Sequence, residues 1–340
     1  MIYTHEEIKS FIANCLSVPQ EDIVFKSAQA TCSMTARLED GGSDTLLGIE
    51  CGGKEYIVKI KSTAFDDNVC DAMNYLDLKE FNEYFSRGKN LFYIRDSYNR
   101  EAKMYRAFGS IKDYFPKIYG SASDASRSIL LMEKLKIERT PNNKEAAAFL
   151  IKLHSLYNRI EDAQALGANV HTAEDYVAAT DISLKLIDYI ELAYPDFPKA
   201  IIKAAQEFVY NYQSNFDKMT TYPRTLCHGD FTINNTTTAE GFKAYDLELA
   251  TYNNGEFDLI SYLYHYPIVL NDSCTNELLN AYYLGKNSTL SDNLEVVKLN
   301  VVLYFCTRFH AMMLIAKKLP MPYMGVSIEN AKYLFNRFVF

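Results

Sequence analysis

The chain has 340 residues, 48% hydrophobic and 23% charged, with a formal net charge of −8. That length suggests about two domains and a core large enough to fold without metal or disulfide staples, and the composition excludes disordered, collagenous and low-complexity classes. The acid excess is shared, with 16 basic against 20 acidic residues in 1–133 and 19 against 23 in 134–340, so there is no basic half or tail to bind nucleic acid.

Thr4 and Glu7 form a capping-box pair, and Ile8, Phe11, Ile12 and Cys15 follow at helical spacing. After Pro19 the texture turns to short strands, expected at 33–39, 45–50 and 55–61. Cys51-Gly52-Gly53-Lys54 is a hairpin signal between the last two. Residues 66–87 read as a helix with Gly88 as its stop, and a second helix opens near Ser97. A strand pair is expected at 116–120 and 129–133, and helices dominate from 142 onward, interrupted by one irregular polar stretch, Thr225–Asn254. The expected fold is α+β and two-lobed: a small antiparallel-sheet lobe over 1–133, with an insertion at about 62–96, and a larger mainly helical lobe over 134–340.

Seven cysteines, odd in number and without a C-x-x-C pair, argue against a disulfide framework and a zinc site. The start MIYTHEEIKS has no signal-peptide core, and no run of consecutive apolar residues approaches the roughly 18 that a membrane span needs. The expectation is a cytoplasmic protein without a membrane partner.

The informative segment is His228-Gly229-Asp230 with Asn235, followed by Asp246-Leu247-Glu248 after a short apolar strand. Phosphoryl transfer explains these residue types. Its reacting group needs divalent ions on its oxygens and a carboxylate that orients the attacking hydroxyl. Asn235 and Asp246 supply hard oxygens suited to magnesium. Asp230, a weak base, positions the alcohol and takes its proton late. Upstream, Ile57 and Lys59 share one strand face, so Ile57 can cover a nucleotide base while Lys59 reaches the phosphates. Glu101 can hold Lys59 as an ion pair, although Glu80 and Glu83 remain alternatives because of the long insertion. The amides of Gly41-Gly42-Ser43 could cover phosphates, or the pair is simply a turn.

These motifs resemble those of the aminoglycoside phosphotransferase and choline kinase family, over about Leu38 to Leu263. The resemblance implies a protein-kinase-like fold, Asp230 as catalytic base, Asn235 and Asp246 as magnesium ligands, ATP or GTP as donor, and Lys59 paired with Glu101. Leu131-Met132-Glu133-Lys134-Leu135 is similar to the family's hinge, which implies adenine recognition by the backbone of Glu133 and Leu135. Asp258-Leu259 is similar to the pair that braces the catalytic loop. Thr232-Ile233-Asn234 departs from the family's usual turn.

Only twelve residues separate Asp246 from Asp258, with no A-P-E motif, which favours a small-molecule hydroxyl acceptor over an extended peptide. Antibiotic and metabolite (choline, homoserine or methylthioribose type) acceptors both remain open. Glu161, Asp162, Glu174, Asp175 and Asp181 offer a polycation site or a solvated surface. A catalytically silent kinase-like binding protein is the rival class. His154, His265 and His310 read as structural, and His228 as shaping its loop.

Overall fold

The computed structural model describes residues 3–26, 45–62, 99–318, 321 and 323–340. The expected strand 33–39, the glycine turn with Ser43, the helix 66–87, and Glu80 and Glu83 lie outside them.

Helix α1 (His5–Leu16) begins with the expected capping box: the Glu7 N–H donates to Thr4 Oγ1 at 3.1 Å, and the Thr4 N–H donates to Glu7 Oε2 at 2.6 Å. Five strands, β1 (Val24–Lys26), β2 (Thr45–Cys51), β3 (Lys54–Ser62), β4 (Ile118–Ser123) and β5 (Arg127–Glu133), form one antiparallel sheet in the order β1-β2-β3-β5-β4. Gly52 and Gly53 both have positive φ, 58° and 73°, which suits a two-residue hairpin turn. Alternation along β3 sends Tyr56, Val58 and Ile60 into a cluster with Ile8 and Ile12 of α1, while Ile57, Lys59 and Lys61 face the other way. Helix α2 (Arg100–Ala107) packs Met104 and Tyr105 into the larger core cluster, as β5 does with Leu130 and Met132. This helix is described from Arg100, and β4 runs two to three residues later than expected, with a register irregularity between Ile118 and Gly120.

The larger lobe follows the hinge strand β5. Helix α3 (Asn143–Leu156) buries Ala146, Phe149, Leu150 and Leu153, the i, i+3, i+4, i+7 stripe of an amphipathic helix. Helices α4 (Ile160–Ala165), α5 (Ala173–Ala178), α6 (Thr180–Ala193), α7 (Lys199–Tyr210) and α8 (Tyr212–Thr220) lead to the polar stretch. That stretch carries four short strands: β6 (Arg224–Cys227) pairs antiparallel with β9 (Thr251–Asn254), and β7 (Thr236–Thr237) with β8 (Lys243–Ala244). Helix α9 (Glu256–Tyr264) is buried along its whole length. Helices α10 (Asp272–Gly285), α11 (Leu294–Tyr304), α12 (His310–Lys318) and α13 (Met324–Phe338) complete the lobe, and α11 joins α12 through a π-helical turn, Phe305–Phe309.

The stretch Ser291–Lys317 is helical, long and apolar enough to cross a membrane by length and composition. A count of consecutive apolar residues misses it because isolated polar side chains interrupt the run. Of its most apolar window, 89% is buried inside the fold, as in the core helix of a soluble protein. Five described cysteines (15, 51, 227, 274 and 306) are free thiols.

Candidate active site

Strand β6 ends at Cys227 and releases the chain into the loop His228–Asn235. Its shape is set by Asp258 in the first turn of α9, whose Oδ2 accepts the His228 N–H at 2.7 Å and whose Oδ1 accepts the Gly229 N–H at 2.9 Å. His154 Nε2 lies 3.1 Å from the same carboxylate, and its Nδ1 lies 2.8 Å from the Tyr282 hydroxyl. Asp258 also joins His154 and Cys227 in a buried trio with ligand-like spacing. Both carboxylate oxygens already accept backbone hydrogens, so the trio is a brace. Gly229 has φ 82°, and a Cβ there would collide with the Leu249 carbonyl, so the residue is confined to glycine on two counts. His228 Nδ1 accepts a long bond from the Asp230 N–H at 3.4 Å, while its Nε2 faces the Tyr245 carbonyl at 3.0 Å. Those partners fix the Nε2–H tautomer and make His228 a shaper of the loop.

Asp230 stands half-buried at the mouth of this loop. The Asn235 amide nitrogen donates to its carboxylate at 2.7 Å and to its carbonyl at 2.9 Å. That orientation leaves the Asn235 carbonyl oxygen as the group available for a cation. Burial, reinforced by the Asp246 charge, raises the Asp230 carboxyl above the ordinary range against the opposing pull of Arg308.

Asp246 comes from the next turn and adopts a left-handed backbone, φ 69°, one of four described non-glycine residues with positive φ. Such strain persists where surrounding contacts hold it. Here Lys59 Nζ lies 2.6 Å from Asp246 Oδ1, 2.8 Å from Glu101 Oε2 and 3.2 Å from Glu248 Oε2. Lys61, also on the cleft face of β3, pairs with Glu248. Burial alone would lower the Lys59 pKa, but the carboxylates of Asp246 and Glu101 outweigh it and keep the ammonium charged. Asp246 is held below the ordinary range by Lys59 and Lys61, against the effect of burial. The carboxylate oxygens of Glu101, Asp246 and Glu248 lie within 4.8 Å of one another. Their hard oxygens are of the kind a divalent cation takes, and here Lys59 and Lys61 lie against them.

Helix α2 is tied to this loop by more than Glu101. Arg100, almost fully buried, donates through Nε to the Gly167 carbonyl at 2.5 Å, to Asn169 Oδ1 at 3.1 Å and to the Glu248 carbonyl. One turn on, the Tyr105 hydroxyl donates to Glu101 Oε1 at 3.0 Å and accepts the Asp246 N–H at 3.3 Å. From the far end of the chain, the π-helical turn brings Arg308 to the Gly229 carbonyl at 3.3 Å. π turns recur at functional sites because the extra residue re-aims a side chain.

The structure therefore brings Lys59, Glu101, Asp230, Asn235 and Asp246 together. Ile57 faces the same cleft, opposite Met132 in the sheet register, and packs against the larger core cluster. Glu133 spends its N–H on the Lys117 carbonyl at 2.9 Å, so that N–H is not open to a ligand. Its carboxylate accepts the Lys117 N–H at 2.9 Å and pairs with Lys243. Leu135 is half-buried just beyond the hinge, and Ser43 lies outside the described residues. Of the five acidic residues between 158 and 182, Asp175 is buried and spent on a capping box with Thr172, while Glu161 is exposed and pairs with Arg159. Lys61, Arg100, Tyr105 and Arg308 escape sequence reasoning. A second lysine at strand spacing from Lys59 was the one local signal available.

A family model described as "Phosphotransferase enzyme family" matches residues 40–291. The chain belongs to this family. No curated protein matches it significantly. Among solved structures, this phosphotransferase-family chain is similar to the choline kinase LicA from Streptococcus pneumoniae, with TM-score 0.55, 14% identity, and coverage of 98% of this chain and 100% of that one. It is similar to a variant of an aminoglycoside 2′-phosphotransferase in its GDP complex, with TM-score 0.55, 12% identity and 98% of each chain covered. The amicoumacin kinase hAmiN, solved with AMP-PNP and Ca2+, aligns with TM-score 0.51 and 12% identity over 98% of this chain and 96% of that one. These likenesses establish the two-lobed kinase-like fold. Family membership supports small-molecule phosphotransfer as the general activity.

Proposed function

We propose that this phosphotransferase-family chain transfers the terminal phosphoryl group of ATP, or of GTP, to a hydroxyl of a small molecule with the help of magnesium. The observation that carries this reading is the convergence across the cleft: Lys59 of the small lobe lies 2.6 Å from Asp246, while Asn235 of the same large-lobe segment holds Asp230 at 2.7 Å. In this reading residues 1–133 carry the nucleotide and residues 134–340 carry the catalytic loop and the acceptor, in a cytoplasmic enzyme. Ile57 covers the base, and the Glu133 carbonyl and the Leu135 N–H meet its edge. Asn235 and Asp246 hold the magnesium, which neutralises charge on the transferring oxygens. Lys59, kept charged and aimed by Glu101, holds the phosphates. Asp230 orients the acceptor alcohol and receives its proton as the new bond forms. The neighbouring guanidinium of Arg308 keeps its carboxyl from rising further.

An aminoglycoside-like antibiotic is one acceptor. A specific observation favours the second reading, a metabolite alcohol. Asp175, buried and spent on a helix cap, is withdrawn from the carboxylates a polycation would need. The test is ADP release across a panel of hydroxylated antibiotics and amino-alcohol or amino-acid metabolites, with Asp230→Ala as the blank. Release that needs both an acceptor and a divalent ion supports the reading. Magnesium-dependent ATP binding with no turnover on any acceptor would replace it with a catalytically silent binding protein.

A further inference from the structure

Among the described residues, two side chains of the small lobe reach Asp246 through hydrogen bonds. Lys59 Nζ lies 2.6 Å from its Oδ1, and the Tyr105 hydroxyl of α2 accepts its N–H at 3.3 Å. The transfer reading gives the lysine a task and leaves the tyrosine none. The two contacts belong to one ring: Lys59 also lies 2.8 Å from Glu101 Oε2, and the Tyr105 hydroxyl donates to Glu101 Oε1 at 3.0 Å. Tyr105 is buried, and its ring meets Phe115 edge-on at a centroid distance of 5.5 Å, so packing fixes where the hydroxyl sits. The N–H it accepts belongs to the Tyr245–Asp246 peptide, whose carbonyl faces His228 Nε2 at 3.0 Å. That peptide plane is held at one end by the loop His228–Asn235 and at the other by helix α2. Its orientation sets the left-handed φ of 69° at Asp246, a conformation that costs a non-glycine residue energy and persists where its surroundings impose it.

We propose that Tyr105 is a positioning residue for Asp246: its hydroxyl keeps the left-handed turn in place once Lys59 turns to the phosphates and the Asp246 carboxylate to an ion. The proposal rests on the phosphotransferase reading of the cleft. In the free chain the lysine and the tyrosine hold Asp246 together. The carboxylate oxygen that meets the ammonium is also a hard ligand for a divalent ion, so the lysine contact is the one that loading of the site weakens. The hydroxyl takes the main-chain N–H, which neither the ion nor the phosphates need, and its bond survives the exchange. Arg100 and Lys61 do not replace it, since both hold the turn two residues on, at Glu248. The same hydroxyl occupies Glu101 Oε1, so Glu101 continues to present Oε2 to Lys59.

The experiment measures binding of AMP-PNP, a non-hydrolysable ATP analogue, to the full chain by calorimetry over a range of magnesium concentrations, in wild type and in Tyr105→Phe. Phenylalanine keeps the ring and its contact with Phe115 and removes the hydroxyl alone. The variant is expected to need about tenfold more magnesium for half-maximal binding, the size of one hydrogen bond, and to bind AMP-PNP within about twofold of wild type once magnesium saturates. A loss of affinity that is the same at every magnesium concentration would overturn the proposal, because disturbed packing acts without regard to the ion. An unchanged magnesium dependence in a folded variant would overturn it as well. A second measurement needs no substitution: amide hydrogen exchange at Asp246 in wild type, followed by NMR with and without magnesium and AMP-PNP. The Asp246 N–H should stay protected in the complex, and fast exchange there would show the bond broken on loading and reject the role. A wild-type chain that binds no AMP-PNP at any magnesium concentration would remove the phosphotransferase reading itself, and this inference with it.

Discussion

Replacing Asp258 by asparagine tests whether the loop His228–Asn235 is held from below by one carboxylate. Asp258 accepts the His228 N–H at 2.7 Å and the Gly229 N–H at 2.9 Å on separate oxygens, and is fully buried. Asparagine keeps one acceptor and turns an amide donor towards the other N–H. One backbone donor is then left unsatisfied, at about 1–3 kcal/mol, and the surviving bonds lose their charge assistance, at about 1 kcal/mol each. The sum is about 3–5 kcal/mol, a large share of the roughly 5–15 kcal/mol that stabilises an ordinary domain. The same relaxation would move Asp230, two residues beyond His228, and displacements of about 1 Å at a reacting group cost roughly 100-fold in rate. Urea denaturation of the variant, with kcat measured on the acceptor found in the screen, reads both effects. A loss of stability below about 1 kcal/mol together with an unchanged kcat would refute the brace.

Three further outcomes are expected. Asp230→Ala should leave nucleotide affinity by calorimetry nearly unchanged and lower turnover by at least about 100-fold, the range of general-base contributions; an active variant would remove Asp230 from the chemistry. Gly229→Ala should destabilise the fold by more than about 1 kcal/mol, since it combines a left-handed φ of 82° with a collision at the Leu249 carbonyl; a thermal melt equal to wild type would contradict the packing described. The third concerns pH. Burial pushes His265 and His310 down to about 4. Because the unfolded chain protonates these rings near their ordinary value of about 6.5, the stability they contribute is complete above that pH and falls as pH drops towards 4. Denaturation midpoints across that window should fall less steeply in His265→Gln than in wild type, and parallel curves would count against the effect.

The loop was legible because its signals are local. His228, Asp230, Asn235 and Asp246 lie within nineteen consecutive residues, and their spacing reflects one chain reversal held by the β6–β9 and β7–β8 ladders. Lys59 was legible as a polar residue among strand hydrophobics, and Glu101 only up to alternatives, because sequence does not say which helix packs under β3. Arg100 reads as an ordinary charge at a helix start. Its partners are carbonyls 67 and 148 residues away, and main-chain acceptors leave no mark on a sequence. Arg308 reaches the loop only because a π turn re-phases its helix, and no residue pattern announced that turn. The capping box of Thr172 and Asp175 was visible at the right spacing, and would have withdrawn Asp175 from the candidate acceptor carboxylates in advance.

Arg100 fastens the small lobe to backbone oxygens at two of the three contacts described for it. Those two bonds use no side chain at 167 or 248, although Gly167 is held by its φ of 78° and Glu248 by its pairing with Lys59 and Lys61. The guanidinium itself has no substitute of equal reach and fork shape. Loss of the guanidinium would leave the helix that carries Glu101 tied to the turn that carries Asp246 through Tyr105 and Lys59, without its main-chain fastening.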